Sequence, residues 1–269
     1  MHWDTRTTQA ENGNEHAGQR FSGVVDNYFA LGVYTHVVWT KAGQVCKMYK
    51  NGGLTDTVLC PTHVDLHAEY SIGKVDDSNM FAGVIDEVSF YSYALDDADA
   101  GNVYSVGTTA GGQGTGTASA TYRFDGNVDD ASGTSHGTIS AGAPASVPDR
   151  AGTPNAAYSF DGINDAITMP TPFGAASDDF SIAIWLQPTL MDDGNWHGFV
   201  GYGSHETTRS PSLFLNPGTC NDGFCDCSGN EGGVTAWSGG SGPNGWVIQP
   251  SNTDMPDGEC DPDPEITHV

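Results

Sequence analysis

Two acidic turns carry the side chains of this sequence that are best suited to bind a cation. The candidate ligands are Asp125 in FDGNVDD and Asp161, Asn164 and Asp165 in FDGINDAI. Calcium takes about six to eight oxygen ligands from carboxylates, amides and backbone carbonyls, and acidic turns supply all three. Asp-Gly and Asn-Asp are also common turn formers whose side chains bond their own backbone. A calcium site and an ordinary pair of turns therefore both remain open.

A second carboxylate pair, Asp86 and Glu87 in the stretch IDEV, raises the question of glycoside hydrolysis. Retaining hydrolysis needs two carboxyl groups about 5 Å apart on either side of one glycosidic bond. Neighbouring residues of a strand point to opposite faces of its sheet. We therefore expect that Asp86 and Glu87 do not flank a common bond, and we predict no catalytic residues in this chain.

Three tryptophans, Trp3, Trp237 and Trp246, lie among Gly, Ser and Thr rather than in apolar runs. Exposed indole rings stack on sugars, so these residues are candidates for ligand binding. The alternative is that each ring closes an end of the core or covers a loop. Trp39 and Trp185 lie inside strand-like segments, and we expect both to be buried.

The chain contains an even number of cysteines without CxxC spacing, which favours disulfides over zinc. They are Cys46, Cys60, Cys220, Cys225, Cys227 and Cys260. Disulfides indicate an oxidising, extracellular setting. The first residues show no signal-peptide pattern, so we expect the chain to be a processed part of something longer. We also expect a pair between Cys46, in a strand, and Cys60, in the loop that follows.

The charge of the chain argues against two classes of partner. Only 9 Lys and Arg face 34 Asp and Glu over 269 residues, a formal net charge of −25. Nucleic acids and anionic membrane surfaces repel such a protein. No run approaches the roughly 18 apolar residues of a membrane span. The charge favours cations, or simply solubility.

Short strand patterns separated by Gly, Pro, Asn and Asp dominate the sequence, as in VYTHVVWTK, FAGVIDEVSFYSY and DFSIAIWLQP. Such patterns predict an all-β antiparallel sandwich that is rich in loops. The one helical candidate is ALDDADAGNVYS at 94–105, where acids precede the helix and favour its N-terminal end.

Several of these blocks resemble the laminin-G-like branch of the concanavalin A-like jelly rolls. Residues 122–130, 158–170 and 179–188 are similar to the opening half of that domain. The closing half is matched by residues 34–41, 47–52, 71–74 and 83–95. The resemblance implies a jelly-roll sandwich, and often a calcium ion near its rim, with Asp86 as a further ligand. Related glucanases use a Glu-x-Asp-x-x-Glu pattern, which this sequence lacks.

The order of the two halves is reversed relative to that family. Residues 1–105 correspond to the closing half, 106–120 to a Gly/Thr/Ser linker, and 121–269 to the opening half, with a Cys-rich insertion at 216–269. Three accounts fit: a circular permutant that folds on itself, a repeat that exchanges halves with its neighbours, or a fragment of two domains.

The resemblance and the composition together predict a non-enzymatic, extracellular adhesion or structural module, secreted or at the cell surface. Its expected partners are an extracellular glycan or protein, and it can also belong to a self-assembling polymer through exchange of half-domains. The main alternative is a calcium-dependent carbohydrate-binding module, and a glycoside hydrolase is a more remote one.

Overall fold

The computed structural model describes most of the chain up to residue 215. The described residues are 2–6, 20–21, 29–59, 69–75, 79–107, 117–173, 179–191, 193, 195–201, 203–204 and 208–215. Within them lie sixteen strands and one helix. The strands are β1 His2–Arg6, β2 Arg20–Phe21, β3 Thr35–Ala42, β4 Val45–Lys50, β5 Gly53–Leu59, β6 Glu69–Ile72, β7 Ala82–Tyr91, β8 Ala120–Tyr122, β9 Thr138–Ala141, β10 Ala145–Val147, β11 Ala157–Asp161, β12 Ala166–Pro170, β13 Phe180–Pro188, β14 His197–Gly201, β15 Gly203–Ser204 and β16 Thr208–Leu215. The helix α1 is Asp97–Gly107.

The strands form two antiparallel sheets. The first has the order β2-β1-β16-β14-β6-β12-β9, with β15 also paired to β16. The second has the order β10-β11-β7-β13-β3-β4-β5, with β8 also paired to β7. Their inner faces meet in one apolar core. The all-β antiparallel sandwich predicted from the sequence is confirmed.

Both sheets contain strands from before and from after the linker. In the second sheet β7 lies between β11 and β13, and β13 lies between β7 and β3. In this pairing Ile182 of β13 is opposite Phe90 of β7 and Trp39 of β3. In the first sheet β6 lies between β12 and β14. Each segment therefore supplies strands whose neighbours come from the other segment of the same chain.

The core forms because the central strands are apolar on both faces. All residues of β13 except Gln187 are buried. Its residues Ile182, Ile184 and Leu186 join the core between the sheets. Edge-to-face ring contacts fill the same layer, with the centroids of Trp39 and Phe180 4.9 Å apart. Such contacts add to the hydrophobic gain from burying large rings.

The helix α1 covers part of the outer face of the second sheet. The side chain of Asp96 accepts a hydrogen bond from the N–H of Asp99 at 2.8 Å, which caps the first turn. A second buried cluster under the helix includes Tyr49, Leu95 and Ala100. The helix predicted for 94–105 is thereby confirmed, and it begins three residues later than predicted. In the described part of the chain, α1 is too short and too polar to span a membrane.

The predicted disulfides involve residues that lie largely outside the described part of the chain. Cys46 is buried in β4 and pairs in register with Val58 of β5, two residues before Cys60. Cys60 and the four cysteines after position 216 lie outside the described residues, so the bridges stay a prediction.

The contact between β1 and β16 generates a test of the predicted permutation. His2 pairs with Phe214 in an antiparallel ladder, so a short turn can join residue 215 to residue 2. We expect a chain that runs 117–215, a short turn and then 2–107 to unfold in one cooperative transition as a monomer. Circular dichroism during thermal unfolding and light scattering are the measurements.

A second rearranged chain serves as the control for this test. It is opened inside β13, so that the central strand of the second sheet is interrupted, and we expect it not to fold. If the reconnected chain is also unfolded or aggregated, the two segments do not form a self-sufficient sandwich.

Candidate functional site

A β-bulge in β7 brings the carboxylates of Asp86 and Glu87 to the same side of the sheet. Ile184 pairs with Val88 and Trp185 pairs with Asp86, which leaves Glu87 as the extra residue, with φ 45°. An extra residue with positive φ turns its side chain away from the regular alternation. The expectation that these neighbours point to opposite faces is wrong for this reason.

Arg150 bridges the two carboxylates. It lies in the turn between β10 and β11, which the Asp149 carboxylate stabilises by accepting hydrogen bonds from the N–H groups of Ala151 and Thr153. The guanidinium donates through Nη1 to Asp86 and through Nη2 to Glu87 Oε2, the latter at 2.6 Å. All three side chains are at least four-fifths buried.

Aromatic side chains of the outer face surround this ion cluster. The Arg150 Cζ atom lies 4.7 Å from the Trp185 ring centroid, within cation–π distance. The Tyr104 ring from α1 stacks on Trp185 at 5.5 Å, and the His36 ring lies 4.9 Å from it. Burial, and secondarily the charge of Arg150, lower the pKa of His36 to about 3. A neutral imidazole therefore packs beside the guanidinium.

The two carboxylates outnumber the one cation that they contact. Burial raises the pKa of Asp86 to about 6 and that of Glu87 to about 7, and the attraction of Arg150 only partly opposes this rise. Burial, together with the charges of Asp86 and Asp149, also raises the pKa of Tyr34 to about 12. In such a coupled pair the proton belongs to the pair rather than to one residue. The cluster can therefore hold one proton near neutral pH.

The same geometry limits what the carboxylates can do to a substrate. Arg150 occupies the space between them, where a glycosidic bond would have to lie. The side chain of Asp86 is only 2% exposed. The cluster therefore links the hairpin of β10 and β11 to the bulge of β7, and in this arrangement its acids are engaged by protein groups.

Two of the residues predicted to bind calcium, Asp161 and Asp165, accept hydrogen bonds from backbone N–H groups. Asp161 Oδ1 accepts from the N–H groups of Ile163 and Asn164, and the two oxygens of Asp165 accept from the N–H groups of Ala143 and Asp161. Asp125 is exposed after β8. These contacts match the turn-forming alternative.

No group of three or more His, Cys, Asp or Glu side chains in the described part of the chain is arranged to hold a metal ion. Asp86 in particular is engaged by Arg150 rather than directed to the turn of Asp161. As they are arranged, the five candidate residues do not fit a common calcium site. Calcium binding by this chain stays a prediction.

Asp130 is a structural residue that sequence reasoning gave no role. Its carboxylate accepts hydrogen bonds from the N–H groups of Thr121, Ser132 and Ser135 and from the Ser132 hydroxyl. These bonds tie the loop at 131–135 to β8. The available signal was Asp130 itself, because an Asp side chain often accepts a hydrogen bond from the backbone N–H two residues later.

The tryptophans occupy different environments, and two of them lie outside the described residues. Trp39 lies between the sheets, as expected, whereas Trp185 is buried on the outer face of the second sheet beside Arg150. Trp3 lies in β1, opposite Leu213. Trp237 and Trp246 lie outside the described residues, so ligand binding by these three tryptophans stays a prediction.

Exposed aliphatic side chains gather at one end of the second sheet. We call this surface the rim patch, and it consists of Leu31, Val33, Ile163 and Leu190, which are between 41% and 73% exposed. Its loops contact one another directly. The N–H of Gly32 donates a hydrogen bond to the carbonyl of Pro188 at 2.8 Å. The N–H of Thr189 donates to the carbonyl of Ala82 at 3.0 Å. Ala82 in turn pairs with Asp161.

Removal of Arg150 tests its structural role. We expect Arg150→Ala to lower the free energy of unfolding by about 3–5 kcal/mol, because it leaves two buried carboxylates without a cation. Chemical denaturation is the measurement. The control is Lys47→Ala, which removes an exposed pair with Asp97 at 2.6 Å and should cost less than about 1 kcal/mol. Equal losses in the two variants would contradict a buried cluster.

The raised pKa values of Asp86 and Glu87 predict a pH-dependent difference between wild type and Glu87→Gln. Between about pH 4 and pH 7 the folded state binds more protons at these carboxyls than the unfolded chain does. Their contribution to stability therefore falls as pH rises through this window. Glu87→Gln removes the excess charge, so it should gain on wild type by on the order of 2 kcal/mol between about pH 5 and pH 8.

Wild type and Glu87→Gln must be compared at each pH, because His36 changes the free energy of unfolding with pH in the opposite direction to the two carboxyls. Its folded pKa of about 3 lies below its ordinary value, so its contribution to stability rises with pH up to about pH 7. Both proteins contain His36, and its effect cancels. Asp125→Asn, which alters an exposed turn, should track wild type at every pH. If the difference in the free energy of unfolding between Glu87→Gln and wild type is the same at every pH, Asp86 and Glu87 hold no extra proton in the folded state.

Comparison with known proteins shows a family match in the first part of the chain. Residues 2–101 match a laminin-G-like family model described as the concanavalin A-like lectin/glucanases superfamily. No curated protein and no solved structure matches the chain. The match covers the motifs at 34–41 and 83–95 that suggested the resemblance, whereas the permuted order stays a prediction. Residues 2–101 are therefore similar to the concanavalin A-like lectin/glucanases superfamily.

Proposed function

We propose that this chain is a non-enzymatic extracellular binding module that serves adhesion or a structural assembly. The observation that carries the proposal is the rim patch, a set of exposed aliphatic side chains on loops from both chain segments. Water-exposed apolar surface of this kind costs free energy unless a partner covers it. Loops on a rigid sandwich are also where binding residues are commonly placed.

The ion pairs that Asp86 and Glu87 form with Arg150 favour a binding function over glycoside hydrolysis. Arg150 lies between Asp86 and Glu87, and the aromatic rings of Trp185 and Tyr104 cover the cluster. Opening this site to a sugar would separate a buried ion pair, which is costly. We therefore assign the cluster to stability and the loops to recognition.

A calcium-dependent carbohydrate-binding module is the second candidate. It is favoured by the lectins included in the matched superfamily description and by the acidic turn around Asp161. In that case an ion would have to replace backbone N–H groups as the partner of these carboxylates, which requires the turns to rearrange. The rim patch needs no such rearrangement, and for this reason we rank protein or glycan binding without calcium first.

Assembly by exchange of half-domains is compatible with the same contacts. The pairs β7–β11, β7–β13 and β3–β13 each join the two segments. Two chains that swap these strands would form identical ladders. The high negative charge of the chain opposes close packing of copies, so such a polymer would need counter-ions or a linker between units.

Two assays test the proposed function. The first is a glycan array run with and without EDTA, and the second is a hydrolysis assay on a panel of β-glucan substrates. We expect no release of reducing sugar, and any glycan signal should be unchanged by EDTA. Binding that EDTA abolishes would favour the calcium-dependent lectin. Turnover of a β-glucan that is lost in Glu87→Gln would overturn the assignment of the acidic pair to stability.

A further inference from the structure

The chemistry of the rim patch distinguishes between a sugar and a protein as its partner. Sugar-binding surfaces use aromatic rings, which stack on the apolar faces of the sugar. Among the described residues, every large hydrophobic side chain that is well exposed is aliphatic, and four of the seven belong to the rim patch. Aliphatic side chains fit the apolar side chains of another protein, because both surfaces leave water together.

The patch is wide enough to accept a protein element. From Asp161 across Ala82 and Thr189 to Gly32, the hydrogen-bonded loops extend over three strand spacings. At about 4.8 Å for each spacing, this is roughly 15 Å. The width of an α-helix with its side chains is about 10–12 Å, so one helix face can lie across these loops.

The negative charge near the rim patch favours a positively charged partner. Asp161 lies two residues from Ile163 in the same turn, and backbone N–H bonds hold the pKa of its exposed carboxyl below its ordinary value. Asp193 lies three residues beyond Leu190, at the other part of the patch, and bonds His197. The whole chain carries a net charge of −25, which attracts cations over a distance and repels anions.

We propose that the rim patch binds a basic, amphipathic segment of another protein, with aliphatic side chains against Leu31, Val33, Ile163 and Leu190 and cations toward Asp161 and Asp193. This inference rests on the proposed binding function and names its partner. It requires no metal ion and no sugar. The apolar contacts supply affinity, and the acids orient the segment and accelerate its association.

The test uses a synthetic helical peptide of Leu and Lys with one apolar face, and a Leu and Glu peptide of equal length. Fluorescence anisotropy measures their binding to the full chain. We expect the basic peptide to bind and the acidic peptide not to bind. The variant Leu31→Ser/Ile163→Ser/Leu190→Ser should weaken binding of the basic peptide about ten-fold or more, because it removes three apolar contacts.

A matched variant separates the patch from the overall charge. Val45→Ser/Leu54→Ser/Ile139→Ser alters aliphatic side chains that are between 37% and 47% exposed elsewhere on the molecule. It keeps the same net charge and should bind within about two-fold of wild type. The difference between the two variants should persist at high salt, which screens only the charges. Circular dichroism verifies that both are folded.

Each outcome decides the proposal. Equal binding by the two variants would mean that only the global charge attracts the peptide, and this would overturn the rim patch as the docking site. Failure of the wild type to bind the basic peptide, together with a positive glycan array, would overturn the partner but leave the binding function. Hydrolysis of a glucan would instead overturn the proposed function itself.

Discussion

The pairing of β7 with β13 is the contact on which the rest of the molecule depends. It joins the longest strand of the first segment to the longest strand of the second, over the registers from Ser181–Tyr91 to Pro188–Gly83. The apolar side chains of both strands enter the core, and each strand positions a further neighbour, β11 beside β7 and β3 beside β13. Because the ladder fixes which strand ends are adjacent, it also fixes which loops meet at the rim.

The bulge inside this pairing gives the outer face its chemistry. A regular strand would direct Glu87 toward the core side, where a carboxylate would be buried without a partner at a high cost. The extra residue instead places both acids beside Arg150, which arrives from a hairpin more than sixty positions later. Trp185 and Tyr104 then exclude water from the pairs. A local backbone irregularity thus decides between a buried, unpaired charge and a three-residue cluster.

The sequence predicted the elements well and the side-chain partnerships poorly. The β-branched and aromatic residues in 82–91 and 180–188, and the acids before α1, were sufficient for the strands and the helix, because these signals are local. The bulge at Glu87 was not predictable. Glu87 has a positive φ, and only Gly in a strand would have indicated such a backbone conformation from the sequence. The role of Arg150 was not predictable either, because its partners Asp86 and Glu87 are distant in sequence. The acids of the turn at 161–165 have the same composition as a calcium loop, and only their hydrogen bonds favour a turn.

The position of β1 beside β16 has a mechanical consequence. His2 and Phe214 are opposite each other, so residues 2 and 215 lie at the same end of two adjacent antiparallel strands. Tension applied at these two residues pulls across the strands rather than along them. The hydrogen bonds then carry the load one after another, and β1 peels from the first sheet at low force. The second sheet, with β7 and β13 at its centre, is not loaded until that peeling is complete, so the early extension of the molecule would absorb strain while the rim patch keeps its shape.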